Sequence, residues 1–526
     1  MHIVMLTAEN DCLPGGKVGG IGDVLRDVPL ALAAQGHRVS IIMPAYGALH
    51  QLENTRKLTL VQSSFEGQSE QLEVYQPASP ATGVELFLLE HPLFSLGGVG
   101  KIYCDDPADS PFASDARKFA LFCRASAALL LSDLIDSPDV IHMHDWHTAF
   151  LAVLCRFDPQ CRELAKSRLV YSIHNLAIQG IRPLQGAVSS LASWYPDLDI
   201  SSSVVNDPRW PNCINPMAAA IRLSDAVHTV SPSYAEDIVK PSRIETDGFY
   251  GGEGLQGELQ QAKTEKRLFG ILNGCDYDID HQQPLQWPAL LDSIHQHVND
   301  WISESQVLLS ADYQADQRLQ RWQSEQRSGS QTPADSPQHI ITSIGRLTEQ
   351  KVRLYTCELD SGKNTLEHLL DELGERGIFI MIGSGDPDYE TFFTRMAAVH
   401  NNFLFLNHYA ERLSRQLYAS GDLFLMPSSF EPCGISQMLA MREGQPCLVH
   451  AVGGLKDTVS HRANGFTFSA DTFTEQAQKF VQTFSEILDF REKEPERWQS
   501  ICDNAAQSRF LWSDSVENYL SQLYAK

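Results

Sequence analysis

One carboxylate, one thiol and two cations are the side chains of this sequence best placed to do chemistry. Glu431 and Cys433 lie in Ser428-Ser429-Phe430-Glu431-Pro432-Cys433-Gly434, a Gly/Pro-bounded loop after the apolar run Asp422 to Met426 and before a helix opening at Ile435. Arg346 and Lys351 follow another apolar run, Ile340 to Ile344. Both loops leave the carboxyl ends of expected strands, where open α/β sheets bind ligands. Two fixed positive charges suit a diphosphate, and a carboxylate beside them suits sugar hydroxyls. The combination points to nucleotide-sugar chemistry.

The first half carries its own candidates. Lys17-Val18-Gly19-Gly20-Ile21-Gly22-Asp23 follows the first strand and precedes a helix, so its backbone can approach a ligand and offer N–H groups to an anion. It is not G-x-G-x-x-G, and a dinucleotide fingerprint is not supported. The bland alternative is a tight turn with a solvated lysine. His142-Met143-His144-Asp145-Trp146-His147 invites a metal reading, because strand alternation puts His142 and His144 on one face. No second cluster with ligand spacing completes such a site, so a strand-end loop with Asp145 facing a cleft is more economical. His174-Asn175, Gly383-Ser384-Gly385-Asp386 and Val452-Gly453-Gly454-Leu455 also follow strands, each weak by itself. The strength lies in their joint placement.

The elements that must position these groups alternate. Strands are expected at 2–8, 39–43, 85–89, 139–143, 168–173, 226–230 and 268–272, with helices at 22–35, 113–135, 147–156, 215–223 and 232–239. That order implies β-α-β units and a mainly parallel sheet. It breaks near Asn273-Gly274-Cys275-Asp276, and residues 323 to 338, polar and aperiodic, read as an exposed loop. Strands resume at 339–344, 376–382, 403–406, 422–426, 446–450 and 465–468. The expected class is therefore α/β, with two Rossmann-like doubly wound domains facing a central cleft: 1–275, then 276–505, with a C-terminal helix in 506–526 packing back on the first. Trp512, Val516, Tyr519, Leu520 and Leu523 mark that helix by their spacing.

Composition sets the outer limits. A chain of 526 residues exceeds one core, which agrees with two domains. The formal charge of −25 argues against a general binder of nucleic acid or anionic membrane and favours a neutral macromolecular partner such as a glucan. Eleven cysteines, an odd number without a C-x-x-C pair, read as reduced thiols in the cytoplasm. The run from His2 to Ala8 reads as a strand, leaving no room for a cleaved leader, and Phe119 to Ile135 is too short to span a bilayer.

Taken together the motifs resemble those of bacterial glycogen synthases and plant starch synthases, glycosyltransferase family 5. Lys17-Val-Gly-Gly-Ile-Gly-Asp23 is similar to the family's K-x-G-G-[LM]-x-D loop. His144-Asp-Trp-His147, His174-Asn175, Thr229-Val-Ser-Pro232, Gly270-Ile-Leu-Asn-Gly274, Arg346-Leu-Thr-Glu-Gln-Lys351, Pro427 to Gly434 with Gln437, and Gly453 to Val459 follow in the family's order. The resemblance implies a GT-B fold and retaining transfer of glucose from ADP-glucose to the non-reducing end of an α-1,4-glucan such as glycogen; because fixed cations can replace a divalent ion and no D-x-D-like motif lies in a suitable loop, no metal or other cofactor is expected. It implies that Arg346 and Lys351 hold the diphosphate, Glu431 contacts the donor glucose, and Cys433, Gly434, Gly453 and Gly454 line its pocket. Lys17, Gly19 and Gly20 would close over the phosphates, with Tyr103 near the donor. His174 would meet the sugar, while Asp23, Asp145 and Asn273 shape the glucose and acceptor side. The chain departs from the family pattern at Asn215 to Ala220, at Val352 where a glycine is usual, and over residues 286 to 338.

These readings leave alternatives: the same scaffold with UDP-glucose or a small acceptor, a non-catalytic glucan-binding paralogue, or a metal hydrolase built on residues 142 to 147. Glu431 as a covalent nucleophile would need a second acidic group ~5–5.5 Å away, a distance that sequence does not measure.

Overall fold

The computed structural model describes residues 1–200, 202–277, 282–305, 307–328 and 337–525. Its contacts form two compact units, Met1–Ser242 with Gly251–Gly274 and Leu511–Lys526, and Arg243–Tyr250 with Cys275–Phe510.

The first unit contains β1 His2–Leu6, β2 Arg38–Pro44, β3 Arg56–Phe65, β4 Gln68–Gln76, β5 Val84–Glu90, β6 Val140–His144, β7 Arg168–Ile173, a short ribbon of β8 Arg182–Pro183 and β9 Cys213–Ile214, β10 Ala226–Thr229 and β11 Leu268–Gly270. Nine of these make one sheet in the order β11-β10-β7-β6-β1-β2-β5-β4-β3. β1 is buried along its length and pairs in parallel with β2 and β6. A strand apolar on both faces needs cover on both, as in parallel sheets. The order reverses between β1 and β6, so the loops after these two strands open at one switch point.

The antiparallel hairpin β3–β4 was not expected. Its strands alternate exposed polar with buried apolar residues, and it turns at Glu66-Gly67, both with positive φ (53° and 72°). Such a primed turn is normally announced by Asn-Gly or Asp-Gly. Glu-Gly carries little of that signal.

The second unit holds β12 His339–Ile344, β13 Gly377–Ile382, β14 Phe403–Leu406, β15 Leu423–Met426, β16 Cys447–His450 and β17 Phe466–Phe468. All pair in parallel, in the order β14-β13-β12-β15-β16-β17. This is the doubly wound arrangement, with its switch point between β12 and β15. The thirteen strands expected from the alternation are all present, to within two residues at either end.

The exposed loop expected over 323–338 is corrected in its first part. Helices Trp287–Glu304 and Ser310–Ser328 fill the stretch after the first unit, and the second runs through residue 328; residues 329–336 lie outside the described residues. Ala315, Leu319 and Trp322 are buried at helical spacing and pack with Leu290, Ile294 and Val298 against Ile340, Ile378 and Leu404. A window opening at residue 323 begins just beyond that stripe and sees only the polar end of the helix. Helix Ala113–Leu130 also stops short of residue 135, at a turn holding Ser132, whose hydroxyl donates to the Leu129 carbonyl at 2.6 Å.

The C-terminal segment belongs to the first unit. Trp512, 8% exposed, donates from Nε1 to Asp27 at 3.0 Å, and its ring leaves no room for a Cβ at Gly274. Ser515 Oγ donates to the Leu272 carbonyl at 2.7 Å. Among the described residues no helix is long and apolar enough to cross a membrane. Trp512→Ala should cost about 3–5 kcal/mol of stability, the usual loss for a buried tryptophan, read as a lower denaturant midpoint with the slope unchanged.

Candidate functional site

In the second unit the loops after β12 and β15 meet at the switch point. Ser429 N–H donates to the Gln350 carbonyl at 2.8 Å, tying one loop to the other. Lys351 Nζ then stands 2.6 Å from Glu431 Oε2, to which Ser428 Oγ also donates at 3.1 Å. Both donors meet the same oxygen, which leaves Oε1 of this buried carboxylate for another donor. Arg346 is exposed, and among the described residues no hydrogen bond or ion pair reaches its guanidinium. Arg346, Lys351 and Ser428 line one small cavity at the carboxyl ends of β12, β13 and β15.

The glycines of this region have steric reasons. A Cβ on Gly453 would lie 2.0 Å from the Glu431 carbonyl, and one on Gly454 2.4 Å from that of Cys433. Gly454 N–H donates to the Glu431 carbonyl at 3.0 Å, so the turn after β16 buttresses the loop after β15. Gly434 has φ 77°, a left-handed turn that L side chains resist. Cys433 is buried. Val352, the departure after Lys351, packs into the hydrophobic core, and Met217 is buried in helix Pro216–Leu223.

In the first unit Lys17 Nζ pairs with Asp23 at 2.5 Å and Asp11 at 3.3 Å. Gly19 caps helix Gly20–Ala34. The N–H groups of Val18 and Gly19 donate to Glu9 Oε2 at 2.7 and 2.5 Å, while Tyr103 OH donates to Glu9 Oε1 at 2.5 Å. Glu9, 2% exposed, thus joins the glycine loop to Tyr103. Sequence reasoning missed it, because a lone glutamate after a strand carries no spacing signal. Asp145, after β6, has φ 55° and accepts the His174 N–H at 2.7 Å. A non-glycine residue is uncommon in that region, which Asp tolerates better than most. Asn273 is buried after β11, its Oδ1 without a partner among the described residues.

Within each unit the expected residues therefore meet: Arg346, Lys351, Glu431, Cys433, Gly434, Gly453 and Gly454 in one; Lys17, Gly19, Gly20, Asp23 and Tyr103 around one loop, and Asp145 with His174, in the other. His142 uses both ring nitrogens, toward Tyr524 OH at 2.8 Å and Ser172 Oγ at 2.6 Å. Among the described residues no group of three His, Cys, Asp or Glu side chains could hold a metal ion.

Burial pulls the imidazoles of His147, His174 and His228 down to about 3, and those of His142 and His144 well below the ordinary value. Burial pushes Asp145 up to about 7, against the N–H groups of His174 and Asn175, which favour its ionised form. The two effects have opposite signs. Depressed histidines stabilise the fold above about pH 6.5 and that stability is lost on acidification, whereas a raised carboxyl stabilises most below about pH 4 and loses that contribution as pH rises toward 7. Unfolding near pH 5 should take up about one proton at each of these five histidines, a contribution measured in the slope of stability against pH. Asp145→Asn should abolish the opposing slope and raise the melting temperature at pH 8 relative to wild type.

Comparison with known proteins places this geometry. Residues 2–261 match the model of the starch synthase catalytic domain, and residues 338–487 that of glycosyl transferases group 1. The chain is 31% identical to a glycogen synthase of Hydrogenobaculum sp. and 31% identical to one of Streptococcus equi subsp. equi, covering 99% of this chain and 98% of the relative in each case. Among solved structures it resembles the catalytic domain of starch synthase IV from Arabidopsis thaliana bound to ADP and acarbose, with 28% identity, a TM-score of 0.74, and 99% and 98% of the two chains covered. The sucrose-phosphate synthase of Thermosynechococcus elongatus shares the fold at 15% identity and a TM-score of 0.56. Two doubly wound units carrying these strand-end groups, matched along their length to such relatives, make the chain a member of the glycogen and starch synthase family of GT-B glycosyltransferases.

Proposed function

We propose that this chain transfers glucose from ADP-glucose to the non-reducing end of an α-1,4-glucan, with retention at the anomeric carbon. The observation that carries the reading is the Lys351–Glu431 pair at 2.6 Å beside Arg346, whose guanidinium has no partner among the described residues, all at the switch point of the second sheet. Breaking the anomeric bond leaves negative charge on ADP and oxocarbenium character on glucose. Arg346 and Lys351 supply positive charge where the leaving group develops its own, and they do so without a divalent ion. Glu431, held at Oε2 by Lys351 and Ser428, presents Oε1 to a hydroxyl of the donor glucose.

In the first unit Lys17, Gly19, Gly20 and Tyr103 form the phosphate-side loop, and His174, Asp145, Asp23 and Asn273 the sugar and acceptor side. The acceptor hydroxyl gives its proton to an oxygen of the departing diphosphate on the face from which ADP leaves. The partners are ADP-glucose and a neutral glucan, and the cytoplasm is the compartment: no disulfide joins the cysteines of the described residues, as a reducing environment keeps them.

The test is incorporation of label from ADP-[¹⁴C]glucose into glycogen. Wild type should incorporate it with and without EDTA, and with UDP-glucose a poor competitor. Glu431→Ala should incorporate none, and Arg346→Ala should lose ~10²–10³ in rate. Arg346→Lys should recover only part of that, because an ammonium does not grip phosphate oxygens bidentately. Incorporation surviving in Glu431→Ala, or abolished by EDTA, would sink the proposal.

A further inference from the structure

Behind His174 lies a file of buried imidazoles. His144 Nδ1 stands 3.0 Å from His174 Nε2, and the His142 and His144 rings lie 4.1 Å apart. His142 reaches Tyr524 and Ser172; Ser172 Oγ is 2.7 Å from His228 Nδ1; His228 Nε2 faces the Ile271 carbonyl at 3.4 Å. A carbonyl oxygen only accepts, so His228 carries its proton on Nε2 and accepts at Nδ1 from the Ser172 hydroxyl. Ser172 Oγ then accepts from His142 Nε2–H, and His142 Nδ1 accepts from the Tyr524 hydroxyl. The polarity of that line is fixed from one end.

The same logic applies to His144. Its Nε2 is buried with no partner among the described residues. Orphaned N–H groups are rarer and costlier in interiors than orphaned acceptors, so Nε2 is the bare nitrogen and the proton sits on Nδ1, aimed at His174. His174 accepts at Nε2 and keeps its single proton on Nδ1.

Resting on the function proposed above, we infer that His144 is a positioning residue that locks His174 in the neutral Nδ1–H tautomer, so that His174 meets the sugar as a hydrogen-bond donor and not as a base. Burial, which disfavours both imidazolium ions, works in the same direction. The proton released by the acceptor hydroxyl then has to go to the leaving diphosphate.

Two substitutions separate this from a merely structural role. His144→Asn places an amide N–H where Nδ1–H stood, whereas His144→Gln places it near the position of Nε2. The Asn variant should keep transfer within about threefold of wild type, and the Gln variant should lose about tenfold in kcat with a smaller change in KM, the worth of one hydrogen bond. Histidine labelled with ¹⁵N should report a protonated Nδ1 and bare Nε2 on His174 in wild type at pH 7, and a mixture of tautomers in His144→Gln. Equal losses in the two variants, or His174 protonated on Nε2 in wild type, would overturn the inference. The tautomer reading does not depend on turnover: a wild type that transfers no glucose yet holds His174 as Nδ1–H defeats the proposed function and leaves the lock standing.

Discussion

The pairing of Lys351 with Glu431 is the interaction on which the second unit's site depends. A carboxylate left 6% exposed without a partner would either take up a proton or resist burial. Here an ammonium and a hydroxyl meet one of its oxygens and leave the other to face a further donor. Holding that arrangement sets demands on the backbone around it. The loop after β15 must turn sharply at Gly434, and the loop after β16 must approach within a distance that no Cβ tolerates at Gly453 and Gly454. The glycines are there for space first and conformation second.

The first unit solves a parallel problem with the opposite sign. Its glycine loop ends at a helix N-terminus, a place that attracts anions. Two of the loop's N–H groups are already satisfied by Glu9, a carboxylate of the chain itself. The loop is thus shaped from within. Lys17 is likewise engaged with Asp11 and Asp23, and under the proposed function a diphosphate would take their place. Preformed loops of this kind reduce the ordering cost that binding would otherwise carry.

Much of this was legible in the residues. Parallel strands buried on both faces read as unbroken apolar runs, and β1, β7, β13 and β15 could be placed from that alone. The motifs then fell at strand ends because the sheets are doubly wound. What stayed hidden had physical reasons. The β3–β4 hairpin turns on Glu-Gly, a pair with little turn signature, and its outer face is polar. Helix Ser310–Ser328 hides its three-residue stripe under a strongly polar surface. Glu9 and His144 act through atoms at specific distances, and no periodicity encodes a carboxylate's bond to a backbone N–H nine positions on or one between imidazoles thirty apart.

The return of Leu511–Tyr524 to the first unit has a consequence for biosynthesis. Chains emerge from the ribosome N-terminus first, and domains fold in that order when they can. The N-terminal sheet is translated early, yet Trp512 and Tyr524 are supplied only after the entire second sheet has been made. Until then Gly274 and His142 face an unfilled gap in their core. The half begun first is thus completed last, and a ribosome stalled before residue 511 releases a chain whose N-terminal half is left open to proteases.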